Sequence, residues 1–362
     1  MVNYRKINNG ERNFPLACFF VCLRHKMFGR FICICVENIK YSIGVVGATG
    51  LVGRKTLEML SEYGLENNKF FLFASKKSVG KRLKIGQKYY NVQNIENISN
   101  YGLDFALFCT PENVSELYAK KLAKLGTKVI DFSSLYRKDF PLIVPEINFC
   151  KMQKNIICNP NCSTIIGTLA LSEIHKKYGL TSINYSTYQA LSGAGKNALG
   201  DQKIKENNNL KKLDYVIQNN LLPYIGELGE DGRTKEENKM IFETKKILND
   251  ESICVCATCV RVNVDICHSE SITFTTRHDA TISDIEKCLK NTKNVVYVAN
   301  DFSRLMPIYV KNRSQVFVGR LRKCQQKNTY SIFVVGDNLR KGAAQNGVQI
   351  LCELIKEQNA NI

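Results

Sequence analysis

A short apolar run, Ser42-Ile43-Gly44-Val45-Val46, passes directly into Gly47-Ala48-Thr49-Gly50-Leu51-Val52-Gly53 and then into a helical pattern reaching about Glu62. No other feature of the chain constrains its fold as strongly. A strand that turns on glycines into a helix leaves unpaired N–H groups at the helix N-terminus, where the macrodipole favours an anion. The missing side chains let backbone approach a pyrophosphate. In this strand–turn–helix context the pattern predicts a dinucleotide-binding βαβ unit, with residues 47–53 as its phosphate loop.

The alternation continues downstream. Strand patterns at 69–74, 105–109 and 128–132, with an amphipathic helical pattern at 112–125, predict a parallel sheet. The residues after the second strand bear on the cofactor. An NAD site usually places Asp or Glu there, about 20 residues beyond the loop, against the ribose 2′-hydroxyl. Here Ser75-Lys76-Lys77-Ser78-Val79-Gly80-Lys81 follows. Its hydroxyl and ammonium groups, with Ser75, Lys77 and Ser78 as the contacts, suit a 2′-phosphate and therefore NADP. A solvated basic turn is the alternative, since lysines are common on surfaces.

A second junction carries chemistry. Residues 155–158 read as a strand, and 163–179 as a helix with Ile166, Leu169 and Ile174 spaced for one buried face. Between them lies Asn159-Pro160-Asn161-Cys162-Ser163-Thr164. A thiol at a helix N-terminus is expected to favour its thiolate, the nucleophilic form, and the nearby N–H groups to hold an oxyanion. A buried structural cysteine is the alternative reading.

Composition narrows the class. A chain of 362 residues has room for two domains, and 44% hydrophobic content supports sizeable cores. No apolar run of about 18 residues predicts a membrane span. The formal charge of +18 is scattered, without interleaved aromatics. It therefore argues for solubility and acidic small molecules rather than nucleic acid. Fifteen cysteines set in apolar runs suit small hydrophobes in a reducing cytoplasm. The spacing Cys254, Cys256, Cys259 and Cys267-His268 invites zinc, but alternation on a strand sends Cys259 to the opposite face from the other two, so no metal is expected. Residues 1–40 hold seven Lys or Arg against two Glu and no clear cleavage site. They read as a poorly ordered extension, or as the product of an early start codon with Met27 as another candidate.

From about Lys40 to Ile355 the chain resembles the bacterial-type aspartate-semialdehyde dehydrogenases. The resemblance rests on the 47–53 loop, on 159–164 and on Tyr188-Gln189-Ala190-Leu191-Ser192-Gly193-Ala194-Gly195. It continues in Thr258-Cys259-Val260-Arg261-Val262-Asn263-Val264, in His268-Ser269-Glu270, and in 336–344 with Asn338 at its head. It implies an α/β chain. A Rossmann-type NADP-binding domain at 41–160 would be completed by a returning helix at 340–358, beside a mixed α/β catalytic and dimerisation domain at 161–335, in a homodimer.

It further implies NADPH-dependent reductive dephosphorylation of L-4-aspartyl phosphate to L-aspartate 4-semialdehyde, a step feeding lysine and diaminopimelate, threonine and methionine biosynthesis. By this likeness Cys162 is the nucleophile that forms a thioester. His268 is the acid/base and Gln189 orients the intermediate. Arg261 takes the substrate carboxylate and Glu236 its ammonium, Arg137 and Lys239 take the phosphate, and Asn161 joins the substrate contacts. Ser192, Gly193 and Asn338 adjoin the cofactor. A Thr234…Glu237 capping box is read at the head of the helix bearing Glu236 and Lys239, which share a face. Arg261 is read on the same strand region as His268.

Three departures stand out. Cys109-Thr110-Pro111-Glu112-Asn113 replaces a glycine-rich turn, Asn263 replaces a proline, and Cys267 a glycine. The rivals are N-acetyl-γ-glutamyl-phosphate reductase, whose cysteine motif differs, and a non-catalytic paralogue.

Overall fold

The computed structural model describes residues 40–195, 203–208 and 211–360. The expectation for the N-terminal extension therefore lies outside the described residues, apart from Lys40.

β1 (Ser42–Val46) runs mid-sheet, parallel to β2 (Lys69–Ala74) on one side and β5 (Phe105–Phe108) on the other. Ile43, Val45 and Val46 are fully buried, as in a strand covered on both faces. Beyond β2 lie β4 (Lys88–Asn94) and the antiparallel edge β3 (Arg82–Ile85); beyond β5 lie β6 (Lys128–Asp131) and β7 (Ile156–Cys158). The order β3-β4-β2-β1-β5-β6-β7 reverses direction between β1 and β5, and ligands of such sheets bind outside the strand carboxyl ends at that point. α1 (Leu51–Glu62) packs Leu57 and Leu60 with Ile43 and Leu72 on one face. α2 (Glu112–Lys124) packs Ala119 and Leu122 with Phe108 and Val129 on the other.

α3 (Cys162–Tyr178) leads out of this sheet. The sequence suggests one buried face; instead every residue from Ser163 to Leu171 is buried. Ile165 packs with the first sheet's core, while Ile166 and Leu169 pack into the second. A helix between two layers is apolar all round, so its periodicity does not show a single stripe.

The second sheet is mixed. It contains β8 (Leu180–Gln189), β11 (Leu221–Leu222), β12 (Cys254–Val262), β13 (His268–Thr276), β14 (Val295–Val298), β15 (Val316–Lys323) and β16 (Thr329–Gly336), in the order β11-β12-β8-β13-β16-β15-β14. β9 (Lys203–Asn208) and β10 (Lys211–Val216) pair as a separate hairpin. One face is covered by α3, α4 (Lys235–Leu248) and α5 (Ile282–Asn291), with Met240, Ile285 and Leu289 against Tyr185, Ile272 and Val334. The capping box at the head of α4 is present, with Thr234 and Glu237 bonding reciprocally.

The last helix, α6 (Gln345–Ala360), returns to the first sheet, burying Val348, Leu351 and Leu354 beside α1. Its start differs from the sequence expectation. Residues Arg340–Ala344 form one wide π turn, and the α-helix begins at Gln345. Two groups hold the turn: Asp337 Oδ1 accepts the Leu339 and Arg340 N–H groups, and the fully buried Lys341 ammonium points inward to Glu146 at 2.7 Å. Such π turns recur at functional sites; here Gly342 lies against Cys162, where an added Cβ would stand 3.1 Å from the cysteine's own.

Candidate active site

Three strands and one helix end build the site. Arg261 ends its buried run on β12 opposite Gln189, the last residue of β8, and His268 opens β13 on the far side of β8. Arg261 and His268 are thus not on one strand region. The chain turns at Cys267, whose φ of 84° is a left-handed conformation that favours glycine, and the two side chains come to flank Gln189. All three are buried.

The Ala190 peptide ties the row together. Its N–H donates to His268 Nδ1 at 3.0 Å, and its carbonyl accepts from Arg261 Nη1 at 2.7 Å. An N–H aimed at Nδ1 leaves that nitrogen as the acceptor, so the imidazole proton sits on Nε2. Nε2 lies 3.1 Å from Cys162 Sγ. Gly193 lets the chain pass close to this row: a Cβ there would stand 2.8 Å from Arg261 Nη1 and 3.3 Å from His268 Cε1, displacing the guanidinium.

Asn161 caps the nucleophile's helix. Its Oδ1 accepts the Ser163 and Thr164 N–H groups at 3.0 and 3.3 Å, a cap worth about 1 kcal/mol. Its Nδ2 donates to Glu236 Oε1 at 2.8 Å, its backbone N–H donates to Glu243 Oε2 at 2.7 Å, and its carbonyl accepts from Ile165. Every polar group of Asn161 is therefore engaged within the protein. Glu236 also pairs with Lys239 at 2.8 Å. Arg137 lines a groove with Lys239, Ser133 and Ser134, and its Nη1 donates to Glu243 Oε1 at 2.8 Å.

The electrostatics correct one expectation. Burial pushes the Cys162 thiol up to about 12, with Glu236 adding to it; Arg261, Lys239 and the Ser163 N–H pull the other way but do not prevail. The helix terminus alone does not yield a resting thiolate, because desolvation of the charged sulfur is larger. Burial also lowers His268, to about 3, assisted by Arg261, so the resting pair is a thiol and a neutral imidazole. Burial opposes ionisation of Glu236, yet Lys239, Asn161 and Arg261 outweigh it and bring the carboxyl down to about 2.

The phosphate loop fits a dinucleotide. Gly47 has φ +77°, and a Cβ there would meet the Cys109 carbonyl at 2.4 Å; at Gly53 one would meet the Gly47 carbonyl at 2.1 Å. Gly50 caps α1 without a side-chain bond, and no acid occupies the first turn, so no carboxylate competes with an anion for the N–H groups there. Ala48 is buried, and Thr49, Leu51 and Val52 are half-buried around the turn. Past β2, Ser75, Lys76 and Lys77 are exposed and Ser78 is buried. The departing turn at Cys109 keeps the cradle: Pro111 takes the cap position of α2, and Cys109 Sγ lies 3.4 Å from Thr56 Oγ1. Asn338 Nδ2 donates to Ser192 Oγ at 2.9 Å and its Oδ1 accepts the Cys267 N–H at 2.9 Å, so these two residues adjoin the Gly193 wall.

Cys254 and Cys256 are exposed while Cys259 is buried, the alternation a strand imposes. Among the described residues no group of three or more His, Cys, Asp or Glu converges on a metal position. Nor does any described helix have the length and apolarity to cross a membrane. Sequence reasoning missed Glu243 and the Ala190 peptide. Glu243 carried a signal, standing seven residues after Glu236 and so on the same helical stripe.

The chain is similar to known proteins over most of its length. Residues 42–155 match the model of the semialdehyde dehydrogenase NAD binding domain, and 171–341 that of the semialdehyde dehydrogenase dimerisation domain. An aspartate-semialdehyde dehydrogenase of Aquifex aeolicus is 43% identical, over 88% of this chain and 98% of its own. That of Bacillus subtilis is 39% identical over the same shares. The crystal structure of aspartate semialdehyde dehydrogenase II from Vibrio cholerae, complexed with ASA, superposes with a TM-score of 0.82 at 36% identity, covering 88% of this chain and 99% of that one. With the loop, the cysteine-bearing helix and the Arg261–Gln189–His268 row all in place, the chain belongs to the aspartate-semialdehyde dehydrogenase family.

Proposed function

We propose that the chain catalyses NADPH-dependent reductive dephosphorylation of L-4-aspartyl phosphate, giving L-aspartate 4-semialdehyde and phosphate for lysine, diaminopimelate, threonine and methionine synthesis. The observation that carries this reading is the 3.1 Å approach of Cys162 Sγ to His268 Nε2 at a helix N-terminus, set among Arg261, Glu236, Lys239 and Arg137. That set matches the charges of the substrate. Arg261 pairs with the α-carboxylate, ionised Glu236 takes the ammonium, and Arg137 and Lys239 hold the phosphoryl oxygens.

Cys162 attacks the acyl carbon; the C–S bond forms, the bond to phosphate oxygen breaks, and the thiol proton leaves with the phosphate. Asn161 already takes the Ser163 and Thr164 N–H groups, so the Cys162 N–H and Gln189 face the oxygen on which charge develops. Residues 47–53 would hold the reduced nicotinamide cofactor, which would supply the hydride that reduces the thioester. The C–S bond then breaks, releasing aldehyde and a thiolate that reprotonates from solvent. The His268 Nε2–H steadies the sulfur at both stages as a neutral hydrogen-bond donor. Nε2, 3.1 Å from the sulfur, is also the atom through which His268 would exchange a proton with it in the acid/base role.

Ser75, Lys77 and Ser78 favour NADP over NAD. A homodimer forms across the face of the second sheet opposite α3, α4 and α5, where Tyr188, Phe302 and Met306 are exposed around one hollow. The free thiols on the surface, Cys150, Cys254 and Cys256 among them, suit a reducing cytoplasm.

The test is reduction of NADP by the purified protein supplied with L-aspartate semialdehyde, with and without phosphate. Turnover that requires phosphate is expected. Turnover only on N-acetylglutamate semialdehyde would move the reading to the longer-substrate reductase. Cofactor binding without turnover on either would leave a non-catalytic paralogue.

A further inference from the structure

Glu243 lies fully buried on α4, and its two oxygens serve two different parts of the site. Oε1 accepts from Arg137 Nη1 at 2.8 Å, and Oε2 accepts from the Asn161 backbone N–H at 2.7 Å. One carboxylate therefore spans from the arginine on the phosphate groove to the residue that precedes the nucleophile. The neighbourhood is built to keep it so. Arg137 Nη2 donates to the Phe132 carbonyl at 2.9 Å, which fixes the guanidinium plane. The Lys246 ammonium, one turn along α4, accepts no bond but donates to the carbonyls of Arg137, Lys138 and Phe140 at 2.7–2.8 Å, pinning the loop that carries the arginine. From the same helix, Glu236 holds the Asn161 side chain.

We propose that Glu243 is a positioning residue that sets the separation between the phosphate-binding guanidinium and the Cys162 sulfur. The proposal rests on the reaction stated above. Acyl transfer needs the phosphoryl group and the sulfur on the same acyl carbon at once, and small misplacements of reacting groups cost rate steeply. A carboxylate can accept from both donors. An amide presents one oxygen and one NH2, so in Glu243→Gln one of the two donors meets another donor.

The experiment measures phosphate, semialdehyde and NADP dependence of turnover in the unaltered protein, Glu243→Gln and Glu243→Asp, beside their melting temperatures. Glu243→Gln should raise the KM for phosphate about tenfold or more, the loss of one charge-assisted bond, with the KM for NADP unchanged. Glu243→Asp keeps the charge but is one methylene shorter; it should show the same selective defect, and it stands in if the glutamine variant does not fold. A folded variant with the parental phosphate KM overturns the proposal. So does a uniform loss in all three substrates that tracks melting temperature, which marks a purely structural role. Absence of phosphate-dependent turnover in the unaltered protein removes the enzyme reading itself, a separate result.

Discussion

Cys162 and His268 meet as a neutral pair: the sulfur lies 3.1 Å from Nε2, and the other ring nitrogen is held by the Ala190 N–H. The site stores its nucleophile as a thiol, since burial holds it at about 12. Cations flank it, and they gain effect when substrate displaces water around them.

Alkylation should expose this state. With the thiol raised to about 12, its thiolate fraction grows about tenfold per pH unit below that value. Iodoacetamide labelling of Cys162, followed by peptide mass spectrometry from about pH 7 to about pH 10, should rise throughout with unit slope. A plateau near neutrality would mean a resting thiolate instead.

Gly53 should tolerate no side chain. A Cβ there meets the Gly47 carbonyl at 2.1 Å and Ala48 Cα at 2.8 Å, both backbone and unable to swing away. Gly53→Ala should cost about 1–3 kcal/mol of stability through overpacking and weaken NADPH binding by at least about tenfold, since the loop must open. Fluorescence titration of NADPH and a thermal melt check both.

Glu270 is fully buried on β13, and neither carboxyl oxygen has a hydrogen-bond partner. Burial raises its pKa well above the ordinary carboxylate range. The unfolded chain therefore loses this proton at a lower pH than the native protein does. As pH rises above the unfolded value the native state binds more protons, and stability falls. Glu270→Gln removes that titration. Its melting temperature should gain on the parent as pH goes from about 5 to about 8, and parallel curves would contradict the assignment.

Local signals were legible where they are local in physics. The strand–glycine–helix junction, the Thr234…Glu237 capping box and the cysteine at a helix start each depend on residues a few positions apart, and each stands as read. Three features were not legible. Arg261 and His268 read as one strand because nothing in the alternation marks the turn at Cys267; only its φ of 84° does. The all-round burial of α3 follows from the second sheet packing over it, which periodicity within 162–178 does not report. Glu243 shares a stripe with Glu236, but its role comes from Arg137, 106 residues away, and from the Asn161 N–H, neither of which the α4 sequence contains. The state of Cys162 was misjudged for a related reason: helix position is readable, but the depth of desolvation is a property of the assembled cleft.

The most direct test of the account is a single-turnover measurement without phosphate. The protein, L-aspartate semialdehyde and NADP should give a burst of NADPH matched to the number of sites, then stop. The peptide containing Cys162 should carry an aspartyl thioester that added phosphate discharges. A Cys162→Ala protein that folds and binds NADPH but still produces the burst, or an unaltered protein with no burst and no adduct, would contradict covalent catalysis at Cys162.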